Sequence, residues 1–221
     1  MTWDPSWDTV FRTHEWSRYP PEELVRFVAT HMPSSKRGQV RVLEMGCGTG
    51  ANIWFLARER FDVYGIDGSQ TAISRARGRL LKERLKAHLK VGDIVKINEF
   101  YKGLNFDAIF DVACLQHNRI DVAEQIMDRA LGLLKPGGRF FSMMAAKGSY
   151  LDRKVDEVEP GTFAIHMGSG ATIMCHLYSL REIKKLFERR FADVHIEYSI
   201  RSLNNRRNNY KNWVTDAYKR V

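Results

Sequence analysis

RVLEMGCGTGANIWFLARER, residues 41–60, reads as a buried strand, a glycine-rich turn and a helix in immediate succession. RVLEMG is a short apolar run closed by glycine, and Ile53, Leu56 and Ala57 then recur at helical spacing. The turn between a first strand and a first helix is where an open α/β sheet binds its ligand. Glycines there allow positive φ and let a ligand approach the backbone closely. The glycines alone leave two readings open, because Gly46-x-Gly48-x-x-Ala51 also satisfies the dinucleotide fingerprint.

Outward from this run, strand and helix signals alternate. DVYGID (62–67) reads as a second strand, and a helix opened by Ser69 carries Ala72, Ile73, Ala76, Leu80 and Leu81 on one face. HLKVGD (88–93) and FDAIFDVACL (106–115) are the third and fourth strands. Val122, Ile126, Met127, Ala130, Leu133 and Leu134 mark an amphipathic helix stopped by Lys135-Pro136-Gly137-Gly138, and GRFFSMMAA (138–146) is the fifth strand. This rhythm predicts βαβ units and a mostly parallel, doubly wound, Rossmann-like sheet. It breaks at the end, where a helix over 179–190 precedes VHIEYSI (194–200) and NWVTDAY (212–218). Two strands in succession pair antiparallel, so seven strands finishing in a hairpin are expected. Residues 1–33, with Trp3, Trp7, Phe11, Trp16 and Tyr19, and the insert 147–178 lie outside the core pattern. They are expected to form an N-terminal cap and a lid over a single domain spanning 1–221.

The chain has 221 residues, 44% of them hydrophobic, enough to bury a core, so a disordered adaptor is excluded. Cys47, Cys114 and Cys175 are few and far apart, which excludes a disulfide framework and a CxxC zinc site; no metal is expected. No basic segment followed by an apolar run opens the chain and no apolar stretch approaches membrane-spanning length, so a cytoplasmic protein without a membrane partner is expected. The formal charge of +9 favours anionic partners. RARGRLLKERLK (75–86) reads as the wet face of a helix, whereas RSLNNRRNNYK (201–211) reads as a turn between strands able to carry a basic patch.

Four companions separate the two readings of the glycine turn. Glu44 and Gly50 extend it to E-x-G-x-G-x-G, Asp67 ends the second strand ahead of Gly68-Ser69, Gly92-Asp93-Ile94 ends the third, and LKPGGRF precedes the fifth. In this order, over about residues 40–145, they resemble the class I S-adenosylmethionine-dependent methyltransferases. VLEMGCGTGANIWFLA is similar to that family's first motif and FDAIFDVACLQHN to its fourth-strand motif. The resemblance covers about two thirds of the chain and is far more specific for fold and cofactor than for substrate. It implies S-adenosylmethionine as cofactor and S-adenosylhomocysteine as product.

The resemblance also assigns roles. Asp67 would accept hydrogen bonds from the ribose diol, and helix capping, its ordinary alternative, is better served by Ser69. Asp93 would take the adenine amino group and Ile94 would contact the ring, against the plain reading of Asp93 as a turn residue. Gly46, Gly48 and Gly68 would line the cofactor. Glu44 would order the glycine loop or the ammonium group, the Leu115 carbonyl would face that ammonium, and Arg18 would pair the cofactor carboxylate unless it is a surface arginine.

Methyl transfer from a sulfonium is driven by positioning and exclusion of water. A hydroxyl acceptor must also lose a proton, a task suited to a histidine titrating near neutrality. His117, just past the fourth strand, is best placed to be catalytic; His14, His166 and His176 are the outsiders, and a capping or packing role is the bland alternative for all four. The fourth strand ends Ala113-Cys114-Leu115-Gln116 and lacks the Asn/Asp-Pro-Pro-aromatic box used on base amines; no Pro-Cys pair occurs either. The expected reaction is methyl transfer to a small-molecule acceptor, at an oxygen of an anionic or sugar-derived metabolite. The alternatives are an RNA methyltransferase and a non-catalytic S-adenosylmethionine-binding module; a nucleotide-dependent oxidoreductase ranks last. Oligomeric state and acceptor identity stay open at this level.

Overall fold

The structure, a computed structural model, describes residues 3–151, 153 and 155–221. In chain order the elements are α1 (Ser6–Thr13), α2 (Glu22–His31), β1 (Arg41–Met45), α3 (Ala51–Arg58), β2 (Asp62–Asp67), α4 (Gln70–Lys82), β3 (His88–Val91), α5 (Ile97–Phe100) and β4 (Phe106–Val112). Then come α6 (Ile120–Leu133), β5 (Leu134–Ala145), β6 (Val155–Glu159), β7 (Thr162–His166), β8 (Thr172–His176), α7 (Leu180–Phe187), β9 (Asp193–Leu203) and β10 (Asn208–Tyr218).

Seven strands form one sheet in the order β3-β2-β1-β4-β5-β10-β9. The first five are parallel, and β10 runs antiparallel to both β5 and β9. The chain leaves β1 toward β3 and then returns to place β4 on the other side of β1. That reversal opens a crevice at the carboxyl ends of β1 and β4, the place such sheets bind ligands.

Side-chain alternation along each strand feeds two cores. Val42, Phe110 and Phe141 face α2, α3 and α4, where Leu24, Phe27, Ile53, Leu56 and Ile73 are buried. Leu43, Met45, Ile109 and Phe140 face α5, α6 and α7, meeting Ile126, Met127, Ile183 and Phe187. Each such phenylalanine contributes roughly 1.5–3 kcal/mol by full burial. Glu44 lies on the same face as Val42, so the register that buries the sheet also buries this carboxylate.

Three boundaries differ from the sequence reading. Lys135-Pro136-Gly137-Gly138 does not separate α6 from β5, because Leu134 already pairs with Phe106 and the ladder passes these residues as a bulge with Gly137 at φ +71°. The terminal hairpin is longer than expected. Its ladder runs from Asp193↔Tyr218 to Leu203↔Asn208, and the turn shrinks to residues 204–207, where Asn204, Asn205 and Arg206 adopt φ +50°, +52° and +68°. Asparagine tolerates that region better than most residues, so the turn signal lay in Asn204-Asn205. The segment 201–211 is therefore mostly strand.

The insert 147–178 holds a second, three-stranded antiparallel sheet, β6-β7-β8. Its strands are five residues each and β6 is acidic and exposed, so neither length nor alternation announced it. Ile165, Met167, Ile173, Cys175 and Leu177 pack with Val10 of α1 and Ala145 of β5 into a third core. Cap and insert thus share one apolar seam, a roof over the crevice. Among the described residues no helix is long and apolar enough to cross a membrane.

Candidate functional site

Under this roof lies a cavity of about 690 Å³, within the range usual for small-molecule sites. Its floor is the β1–α3 turn and the ends of β2, β3 and β4. Glu44, Gly46, Gly48, Asp67, Gly68, Asp93, Ile94 and His117 all line it. The structure thus brings together eight of the ten expected site residues from four separate strand ends.

Asp67 holds the turn in shape. Its Oδ2 accepts from the Gly48 N–H at 2.8 Å and its Oδ1 from the Ser69 N–H at 2.8 Å. A carboxylate has about four lone-pair directions, so two remain for a diol. Burial raises its pKa to about 6, with the two backbone bonds pulling it back down. Ser69 takes the capping role instead, its Oγ accepting from the Ala72 N–H at 3.0 Å.

Glu44 is more deeply buried. Its Oε1 accepts from Asn52 Nδ2 at 2.6 Å, and its Oε2 has no partner. Burial, opposed by the Asn52 bond and reinforced by the Asp67 and Asp111 charges, lifts its pKa to about 8. An unpartnered buried carboxylate oxygen on a cavity wall is suited to a cation. Asn52 also lines the cavity, and its Oδ1 is likewise unpartnered. Its position i+8 from Glu44 gave no motif to read.

The glycines serve different ends. A Cβ on Gly46 would lie 2.3 Å from the Cys114 sulfur, so this glycine admits Cys114. One on Gly68 would lie 2.1 Å from the Trp3 indole nitrogen, so this one admits the cap. Gly48, at φ +50°, needs left-handed backbone to aim its N–H at Asp67.

Asp93 is both a turn residue and a cavity residue. Its Oδ1 accepts from the Val95 N–H at 3.0 Å, and its Oδ2 from the Trp3 N–H at 3.2 Å. Trp3 therefore crosses the cavity between Gly68 and Asp93.

His117 sits in a short 3-10 turn, residues 115–117, organised by a residue the sequence reading passed over. Asp111 Oδ1 accepts from the Cys114 and Leu115 N–H groups, each at 3.0 Å, and its Oδ2 from Ser142 Oγ at 2.6 Å. Burial raises its pKa to about 6. His117 Nδ1 lies 2.6 Å from the Met174 carbonyl of β8. A carbonyl only accepts, so Nδ1 carries the proton and Nε2 offers a lone pair, which the Gln116 side chain meets at 3.3 Å. Trp7 of α1 packs edge-on against the imidazole at 4.6 Å. Burial lowers the ring's pKa to about 4, only partly offset by the Met174 bond. The ring is neutral at pH 7, which makes it an acceptor but a weak one.

Two expected residues stand elsewhere. Arg18 is exposed and does not line the cavity; its carbonyl is bonded by Arg79. Leu115 is fully buried, and its carbonyl accepts from the Asn118 N–H at 3.1 Å, so Ala113 and Cys114 meet the cavity instead. Ala113 takes φ +58°, turning the chain away after Val112, three residues before the end of the strand read from the sequence. The other histidines are remote from the cavity. His166 faces Asp156 at 2.6 Å, His176 Nδ1 lies 2.7 Å from Thr162 Oγ1, and His14 caps the end of α1. The cavity wall also takes Arg201 and Tyr210 from the terminal hairpin. The basic run 201–211 was the signal for them.

Besides the Trp3–Asp93 and His117–Met174 bonds, the roof is latched to the floor through α4 and the turn before it. Asp8 of α1 accepts from Ser69 Oγ at 2.5 Å, the Thr71 N–H at 3.1 Å and Thr71 Oγ1 at 3.2 Å, bonds that lower its pKa. Arg75 of α4 reaches the His14 and Arg12 carbonyls at 3.0 and 3.2 Å. The three cysteines are free, and no cluster of acidic, histidine and cysteine side chains among the described residues could hold a metal.

Comparison with known proteins agrees with this geometry. A family model described as a methyltransferase domain matches residues 42–138. The cypemycin N-terminal methyltransferase of a Streptomyces species is 30% identical over 128 residues, 55% of this chain and 47% of that protein. The ubiquinone biosynthesis O-methyltransferase of Nitrosococcus oceani is 32% identical over 101 residues, 46% of this chain and 42% of that one. The chain spans about half the length of the curated relatives it matches. Among solved structures, a SAM-dependent methyltransferase from Methanosarcina mazei superposes with a TM-score of 0.66 at 22% identity, covering 82% of this chain and 93% of that one.

Proposed function

The chain carries a methyltransferase domain of the class I S-adenosylmethionine-dependent family, and from that premise we propose that it methylates an oxygen of a small anionic or sugar-derived metabolite. When bound, the cofactor supplies an electrophilic methyl group on a sulfonium. Asp67 receives the ribose hydroxyls on its two remaining lone pairs. The unpartnered Glu44 Oε2 receives the ammonium, and Asp93 with Ile94 holds the adenine. The acceptor lies between His117 and the aromatic side of the roof. The residues on either side would hold its oxygen against the methyl group that the cofactor supplies. The hydroxyl proton passes to His117 Nε2 as the Gln116 amide that meets this lone pair at 3.3 Å gives way, the Nδ1 bond to Met174 keeping the tautomer. The cap and insert exclude water from this step, acting as a lid on one domain.

The observation that carries this reading is the carboxylate set of buried Glu44 and Asp67 with half-buried Asp93 in one roofed cavity, together with a neutral histidine. An RNA acceptor fits less well, because the roof closes the cavity to about 690 Å³.

Calorimetry with S-adenosylhomocysteine and with NAD, followed by a metabolite-mixture screen using methyl-labelled S-adenosylmethionine, tests it. Binding of the first ligand alone and label in a small molecule are expected. NAD binding without an S-adenosylhomocysteine signal ends the reading. Label in RNA moves it to the nucleic-acid alternative, and cofactor binding with no transfer to any fraction moves it to the non-catalytic one.

A further inference from the structure

The cavity is polarised in a way that specifies the acceptor. At one end stand Glu44, Asp67 and Asp93; at the other, Arg201 of β9 and Tyr210 of β10 reach in from residues far along the chain. These two are directly opposed in the hairpin ladder, with the Arg201 guanidinium 5.8 Å from the Tyr210 ring centre. The register of the hairpin therefore delivers a cation and an aromatic face as a unit.

The surrounding charge is one-sided. Residues 198–215 contain Arg201, Arg206, Arg207 and Lys211 and no acidic residue. Among the described residues none of these four cations is in an ion pair, and Arg201 meets only the Tyr210 ring. Two further acids line the cavity, Asp4 on the His117 side and Glu22, the latter engaged by Arg26 at 2.6 Å. The lining also holds aromatic side chains of the cap: Trp7 lies 5.6 Å from both Phe11 and Trp16, and Tyr19 follows on the same segment.

An acceptor carrying a negative group is attracted to Arg201, which favours the orientation that turns its charge toward the hairpin. A planar ring makes use of the aromatic wall and of the Tyr210 face, where a sugar would strand its hydroxyls against apolar surface. We propose that Arg201 and Tyr210 are the acceptor-specificity element, and that the acceptor is a planar aromatic bearing a carboxylate, sulfonate or phosphate. The inference rests on the methyltransferase reading above and narrows its acceptor to the aromatic anions.

The test is binding to the protein saturated with S-adenosylhomocysteine, read by quenching of the cap tryptophans. The probes are 2-naphthalenesulfonate, the uncharged 2-naphthol and glucose 6-phosphate. The sulfonate should bind about five- to tenfold more tightly than 2-naphthol, the range for a charge-assisted contact at a partly exposed arginine. Arg201→Gln should abolish that preference, and Tyr210→Leu should weaken both aromatic probes, with S-adenosylhomocysteine affinity unaltered in each variant. Arg201→Lys should restore part of the preference. Equal binding of the two naphthalenes, a preference that survives Arg201→Gln, or no binding of either overturns the proposal. Tighter binding of glucose 6-phosphate than of the sulfonate overturns its aromatic half. Failure to bind S-adenosylhomocysteine is a separate outcome, which removes the methyltransferase reading and this inference with it.

Discussion

The floor and the roof of the cavity are built on different physical terms. The floor consists of strand ends and tight turns whose backbone donors meet buried carboxylates: Gly48 and Ser69 meet Asp67, and Cys114 and Leu115 meet Asp111, which also accepts from Ser142. The roof consists of α1 and the β6-β7-β8 sheet, joined by an apolar seam and tied down by Asp8 and Arg75. Apolar contact is non-directional, and a few side-chain hydrogen bonds release readily. The comparison teaches that directional bonds to carboxylates define the floor, whereas apolar contact dominates the roof.

His117 joins the two regions, standing on the floor with its Nδ1 bonded to the roof, and its replacement is expected to have the largest effect. His117→Ala should reduce turnover by about 10²-fold, the low end for a positioned base because its basicity is low, and leave S-adenosylhomocysteine affinity unaltered. The wild-type rate should fall on the acid side near pH 4 rather than near 6.5, since burial disfavours the imidazolium. The same depression makes the ring's contribution to stability present above pH 6.5 and lost as pH falls toward 4. Lost cofactor binding in the alanine variant would show instead that the histidine's work is to hold roof to floor.

Next in size, a floor change should touch binding alone. Asp67→Ala should weaken S-adenosylhomocysteine by about 1–3 kcal/mol in calorimetry, the range for leaving hydrogen-bonding groups unpaired. Hydrogen exchange in the roof of the unliganded variant should stay as it is in the parent protein. A roof that loosens without ligand would mean that the two regions are one cooperative unit.

Asp8→Ala removes three hydrogen bonds from the latch and is expected to act kinetically. S-adenosylhomocysteine should dissociate about tenfold faster in stopped-flow fluorescence, corresponding to about one net hydrogen bond. Exchange in residues 3–19 and 155–178 should rise with ligand absent and recover when it is added. Unchanged exchange and dissociation would show that the apolar seam alone keeps the cover shut.

The smallest signal concerns Glu44. A carboxyl held at about pKa 8 is mostly protonated at neutral pH and must ionise to pair with an ammonium. Binding at pH 7 should therefore release just under one proton, seen as a buffer-dependent heat in calorimetry, and the release should fade above pH 9. Proton uptake, or none, would place the ammonium elsewhere in the floor.

The floor was largely legible in the sequence. Glu44, the glycines, Asp67 and Asp93 fall at strand ends, where local spacing and the direction of the chain set their positions. Arg18 and Leu115 were assigned by resemblance alone, and the structure turns each away: Arg18 to solvent, the Leu115 carbonyl to Asn118. Asp111 was invisible because a buried aspartate in an apolar strand looks like any strand residue until its three donors are seen.

By itself the sequence determined the parallel sheet, the switch point and the carboxylates around it, because these follow from periodicity and from short-range turn chemistry. Tertiary structure alone decided what faces them. Met174 reaches His117 from 57 residues away, Asp8 reaches Thr71 from 63, and Arg201 enters the cavity only because the β9–β10 ladder continues past the expected turn. Such meetings depend on packing of an apolar seam and on strand register. Neither leaves a periodic trace within a single segment, so neither could be read along the chain.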